Sequence, residues 1–255
     1  MNRDEFAPRD RELEDEHLPQ AIARRLAMHR RHGYVGDAVL GAVDGCVTTF
    51  AIVAAAVGGG FSQIVIIVLG FANLLADGFS MAVSNYLGTK SERQEVERAR
   101  QTERQHIEAI PAGEREEIRQ IFARKGFSGE VLERVVDVIT SNPNLWVDTM
   151  LTEELGLQLD GPRPVQAGVA TFLAFVIVGL IPLAPFVVPM INADQRFIAS
   201  ATATAVAFFS VGVIKGKILE RALVRSGLET LLIGGMAATL AYLVGAWLRH
   251  AYGAS

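Results

Sequence analysis

Cysteine occurs once in the 255 residues, at Cys46, so no intrachain disulfide can form and no cysteine-based zinc site can be assembled. Net charge is only −4, too small to argue for a nucleic-acid partner, and no interleaved basic and aromatic stripe offers bases a stacking platform. Charge is nearly absent from five long stretches, 35–57, 64–87, 165–188, 197–214 and 228–248, where only Asp37, Asp44, Asp77 and Glu229 carry any. Runs of roughly 20 apolar residues match the hydrocarbon thickness of a bilayer, which excludes a single soluble core. They do not alternate polar with apolar side chains, which excludes a membrane β-barrel.

Where charge is present it is concentrated. Residues 1–33 carry Glu12, Glu14, Asp15 and Glu16, then Arg24, Arg25, Arg30 and Arg31. That is the wrong beginning for a cleaved signal peptide, so a cytosolic arm is expected; His29 and His32 belong to its basic flank rather than to a metal pair. Lys90, Arg93, Arg163, Lys215, Lys217, Arg221 and Arg225 flank the windows on that side, against Arg196 and Arg249 on the other. The positive-inside rule then places the N-terminus in the cytosol and the C-terminus opposite. A short chain without a targeting extension points to a bacterial inner membrane.

The fold class expected is an all-α membrane protein of five transmembrane helices, with a cytosolic helical insertion between spans 2 and 3. Its parts are an N-terminal arm (1–33), spans 1 and 2 (34–88), the insertion (89–164) and spans 3 to 5 (165–255). The triplet Gly58-Gly59-Gly60 turns the chain between spans 1 and 2, and Pro182, Pro185 and Pro189 kink or end span 3. Between 91 and 160 the insertion carries 15 acidic and nine basic side chains. It reads as three or four helices, over 91–110, 114–125, 130–140 and 145–155, and no apolar break separates span 2 from the first of them.

Four positions within the membrane carry candidate chemistry. Asp44 lies deep in span 1, where a charged carboxylate costs at least about 2.5 kcal/mol. It either stays wet, pairs with a backbone donor or binds a cation, and Gly41 and Gly45 around it let another helix approach. In span 2, Asn73, Asp77, Ser80, Met81 and Ser84 recur at spacings of three and four and share a helix face. Such a stripe serves interhelical hydrogen bonding, or its carboxylate, amide and thioether serve a first-row transition metal, whereas Ca²⁺ or Mg²⁺ would need oxygen alone. Cys46, about 200° round the helix from Asp44, reads as packing. In the insertion, Glu103 with His106, Glu114 with Glu117, and Met150 with Glu154 are pairs that each face one way, as on a solvated charged face or a metal site. A ferroxidase would want two Glu-x-x-His pairs on facing helices, and only Glu103–His106 is present, so no enzyme is expected.

The segments DAVLGAVDGCVTTFAIVAAAVGGG, GFANLLADGFSMAVSNY, WVDTMLTEELGL, ATFLAFVIVGLIPLAPF and LETLLIGGMAATLAYLVG occur in this order from position 37 onward. In these blocks the chain resembles the vacuolar iron transporter family from about Tyr34 onward. The resemblance implies a homodimer of five-span subunits that moves Fe²⁺, and Mn²⁺, Co²⁺ or Zn²⁺, out of the cytosol in exchange for protons. It implies a membrane pathway at Asp44, Asn73 and Met81 and a metal-collecting cluster at Glu103, Glu114, Glu117, Met150 and Glu154. Asp77 joins the expected pathway by its place in the stripe, and His106 joins the cluster where the family carries a glutamate. Leu151 stands where a second methionine is expected, and Asn85 where a glutamate often follows the methionine by four residues. Metal is expected as substrate, not as a tightly bound cofactor. The expected partners are lipid, divalent metal ions, protons and a second copy through spans 1 and 2. The competing reading keeps the fold without transport: a membrane-anchored metal sensor or buffer.

Overall fold

The computed structural model describes residues 15–27 and 33–253. The basic flank at His29, Arg30, Arg31 and His32 lies outside the described residues. Contacts divide the chain into a unit of residues 1–33 and a unit of residues 34–255. In the first, α1 spans Pro19–Ala27.

The second unit is built of helices joined by turns: α2 (Val35–Gly58), α3 (Gln63–Ala109), α4 (Pro111–Arg124), α5 (Gly129–Thr140), α6 (Pro143–Glu153), α7 (Pro164–Gly179), α8 (Ala184–Val187), α9 (Ala193–Ile218) and α10 (Leu223–Tyr252). Helix is the only open-ended structure that pairs every backbone group inside lipid. Four of these, α2, α3, α9 and α10, are long and apolar enough to cross a membrane. The apolar window at 165–188 is divided. Its prolines end α7 after 16 residues, and a turn through Pro182 leads to the short α8.

Proline also opens helices, since its missing N–H is unneeded in a first turn. Pro111, Pro143 and Pro164 start α4, α6 and α7. Asn142 caps α6 by accepting from the Asn144 and Leu145 amides at 3.1 and 3.3 Å. Nothing of the kind interrupts α3, which runs unbroken for 47 residues, about 70 Å at 1.5 Å per residue. The expected glycine turn joins α2 to α3, with Gly60 at φ +73°, a left-handed conformation that glycine adopts without strain.

In the apolar bundle, α2 packs against α3, α7, α9 and α10. Cys46, Phe50, Val53, Leu74, Phe175, Leu183 and Phe208 fill its core, so Cys46 is a packing residue. Lipid supplies no hydrophobic drive between helices, so small residues that let backbones touch matter most. Gly41 and Gly45 lay α2 directly on the α7 backbone at Thr171 and Phe175, and Gly245 lays α10 on Ala55. At the turn end, Gln63 donates to the Phe186 carbonyl at 2.6 Å, and Arg196 bonds both Gln63 and the Ile191 carbonyl. The insertion has its own core of Ile118, Leu132, Val136, Ile139, Trp146 and Met150. Arg100–Asp148, Arg119–Glu133 and Lys125–Glu153 tie its helices at the surface, at 2.5, 3.0 and 2.5 Å.

A Cβ at position 45 would lie 2.9 Å from Phe175 Cα, whereas one at position 36 meets nothing within 4 Å. Gly45→Ala is therefore expected to cost about 1–3 kcal/mol by overpacking, read as a lowered thermal midpoint in detergent. Gly36→Ala should leave the midpoint unchanged or raised.

Candidate metal-binding sites

The α3 members of the two groups, Asn73, Asp77 and Met81 in the bundle and Glu103 and His106 in the insertion, lie about six to nine turns apart.

In the bundle, α2 and α3 run antiparallel and meet polar to polar. Asn73 donates to Thr48 Oγ1 at 3.4 Å, and Thr48 donates to the Asp44 carbonyl at 2.9 Å. Asp77 lies close enough to act electrostatically on the half-buried Asp44, carboxylate against carboxylate. Farther along, Asn85 Nδ2 donates to Asp37 Oδ1 at 2.8 Å and to Thr171 Oγ1 on α7 at 2.7 Å. Asp37 is half-buried in this contact. Of the stripe, Asn73 and Met81 are half-buried while Asp77, Ser80 and Ser84 are exposed. Asn73 and Met81 turn toward the bundle, and Asp77 has its neighbour Asp44 there although most of its surface is open. Thr48 and Thr171 escape a reading of the sequence, because a lone threonine in an apolar helix ordinarily bonds its own backbone one turn back.

In the insertion, α3 ends, Pro111 turns the chain, and α4 begins beside it. Glu103 and His106 on the last turns of α3 thereby meet Glu114 on the first turn of α4; one ligand atom from each lies within 4.8 Å of the others. His106 Nδ1 stands 3.6 Å from Glu114 Oε1. Glu117 and Glu154 are within electrostatic range of the same group. Met150, one turn before Glu154 on α6, is fully buried in the insertion core beside Ile118 and Trp146, and Leu151 is fully buried as well.

This is an electrostatically unfavourable arrangement as it stands. Burial, then Glu117 and Glu103, push Glu114 up to about 7 against the opposing pull of His106. Burial, and then Glu117, also push Glu103 up, and Glu154 rises through partial burial of its carboxyl followed by Glu117 and Glu103. Among the described residues, only one basic group, His106, stands among the four carboxylates. Glu114 Oε2 is buried and makes no hydrogen bond, which costs a charged group more than about 1–3 kcal/mol. A divalent cation would supply both the missing charge and the missing partner. Carboxylate oxygens with an imidazole nitrogen suit a first-row transition metal.

Comparison with known proteins is consistent along the chain. The model of the VIT family matches residues 35–246. A vacuolar iron transporter of Toxoplasma gondii is 35% identical over 231 residues, covering 87% of this chain and 76% of its own. Vacuolar iron transporter 1 of Tulipa gesneriana is 34% identical over 210 residues, with 82% and 84% covered. Vacuolar iron transporter 1 of Arabidopsis thaliana is 32% identical over 217 residues, with 85% and 86% covered. These names refer to a vacuole, and nothing in them supports the expected bacterial inner membrane.

A carboxyl that holds its proton more tightly when folded subtracts stability above its folded pKa and ceases to do so below its unfolded value. For Glu114 that window runs from about 7 down to 4.5. Without metal, the insertion should gain stability as pH falls from 7.5 to 5, followed by Trp146 emission in a Trp247→Phe background. Added Zn²⁺ should raise the midpoint more at pH 7.5 than at pH 5, and Glu114→Gln should flatten the pH dependence.

Proposed function

This chain belongs to the VIT family, and from that premise we propose that it moves Fe²⁺ out of the cytosol in exchange for protons, with Mn²⁺, Co²⁺ and Zn²⁺ as further substrates. It is an integral membrane transporter, not an enzyme. The observation that carries this reading is α3: one helix bears Asn73, Asp77 and Met81 in the bundle and Glu103 and His106 in the insertion.

The insertion collects metal through Glu103, His106, Glu114, Glu117, Met150 and Glu154. Metal then passes to the bundle, where Asp44, Asp77 and Asn73 supply oxygen and Met81 a soft sulfur that favours transition metals over Mg²⁺ or Ca²⁺. A carboxylate cannot hold a proton and bind metal well at once, so protons arriving from the far side drive release there. Two like charges at Asp44 and Asp77 make the exchange direct: a divalent cation or protons must neutralise them.

The fifth span is α7 continued through the turn to α8. Basic residues from Lys90 to Arg225 put the insertion in the cytosol. On α3, Leu75 and Phe79 are 62% and 65% exposed beside the exposed Asp77. A carboxylate facing lipid would cost at least about 2.5 kcal/mol, which favours a second copy covering this face and a homodimer through α2 and α3.

In proteoliposomes with a pH gradient, Asp44→Ala is expected to abolish Fe²⁺ uptake while leaving the thermal midpoint intact; full retained uptake would sink the assignment. Removing residues 95–155 should lower uptake without ending it, whereas a sensor or buffer would show no flux with or without them.

A further inference from the structure

The contact among Asp37, Asn85 and Thr171 is unexplained by the pathway through Asp44 and Met81. It ties three helices at one point. Asn85 uses one nitrogen to reach both Asp37 and Thr171, and Thr171, fully buried, approaches the Asp37 carbonyl at 3.3 Å and the Ala167 carbonyl at 3.0 Å. Position matters as much as bonding. Asn85 follows Met81 by one turn of α3 in the direction of Glu103, and Asp37 precedes Asp44 by two turns of α2. The contact therefore stands between the insertion cluster and the bundle carboxylates, about 10 Å from Asp44 along α2.

Two oxygens there remain uncommitted. Among the described residues no hydrogen bond engages Asp37 Oδ2 or the Asn85 side-chain carbonyl. A single anionic oxygen beside a neutral carbonyl, on a half-buried side chain at the first turn of a membrane helix, presents hard donors to a partly hydrated divalent cation. Hard oxygens discriminate little among such cations, so selection falls to the thioether farther in.

We propose that Asp37, oriented by Asn85 and Thr171, is a further cation-binding carboxylate, which a divalent metal occupies between leaving the insertion and reaching Asp44. This rests on the transport reading above. Asp37 is the ligand; Asn85 and Thr171 are positioning residues that fix one carboxylate oxygen and leave the other uncommitted.

Asp37→Asn separates ligation from fastening, since an asparagine oxygen still accepts from Asn85 while the charge is gone. In proteoliposome uptake of Fe²⁺, Asp37→Asn is expected to raise KM about tenfold at a Vmax within about twofold of the unsubstituted chain. Asn85→Ala should raise KM in the same direction by less. A KM unchanged in Asp37→Asn, with or without a lowered Vmax and thermal midpoint, overturns the proposal and leaves a purely structural contact. Absence of uptake by the unsubstituted chain overturns the transport reading and this proposal together. Uptake lost in Asp44→Ala but with normal KM in Asp37→Asn overturns the proposal alone.

Discussion

Everything in the bundle depends on how closely α2 lies on α7. Without side chains at Gly41 and Gly45, the two backbones touch at Thr171 and Phe175. That contact fixes the rotation of α2 about its own axis. Once it is fixed, the remaining face of α2 has no freedom in what it shows α3: Thr48 meets Asn73, Asp44 approaches Asp77, and Asp37 meets Asn85. A bulky residue at either glycine would disturb packing, and it would also turn the carboxylates off their partners. The glycines thus set chemistry indirectly, by setting an angle.

The second organising feature is charge left without compensation. Folded proteins usually pair buried carboxylates with arginine or lysine, and this insertion does so at its periphery, through Arg100, Arg119 and Lys125. At its centre it does not: Glu103 and Glu114 are buried with only His106 beside them. The peripheral pairs hold the helices in place around a repulsive middle. A cation bound there would convert that repulsion into attraction, so the same carboxylates that weaken the empty domain would strengthen the filled one. Asp44 and Asp77 repeat the arrangement in the bundle with two groups.

Much of this was legible in the sequence. The apolar windows locate α2, α3, α9 and α10 closely, and the absence of proline between Leu87 and Ile110 foretells the continuity of α3. The pairs Glu103–His106 and Glu114–Glu117 are visible as spacings, but that Pro111 folds one pair onto the other is a tertiary fact that spacing alone does not contain. Two features were hidden for physical reasons. The prolines mark the window at 165–188 as kinked or ended, yet where such an apolar run stops being helical depends on partners such as Ser200, which donates to the Pro182 carbonyl. Thr171 is a single hydroxyl in an apolar helix, and only the approach of α2 gives it a second helix to serve.

The unbroken α3 also sets a phase relation. Asn85 and Glu103 are eighteen residues apart in sequence, which at 3.6 residues per turn is about five complete turns. They therefore point to the same side of the helix, and Met81 lies within about 40° of them. Met81, Asn85 and Glu103 lie along one side of α3 because the segment between Asn85 and Glu103 contains a whole number of turns. One residue added or removed between Leu87 and Glu103 would swing the insertion by about 100° around the α3 axis. The carboxylates of the insertion would then face a different side of the bundle. The length of this charged segment is thus constrained more tightly than its composition.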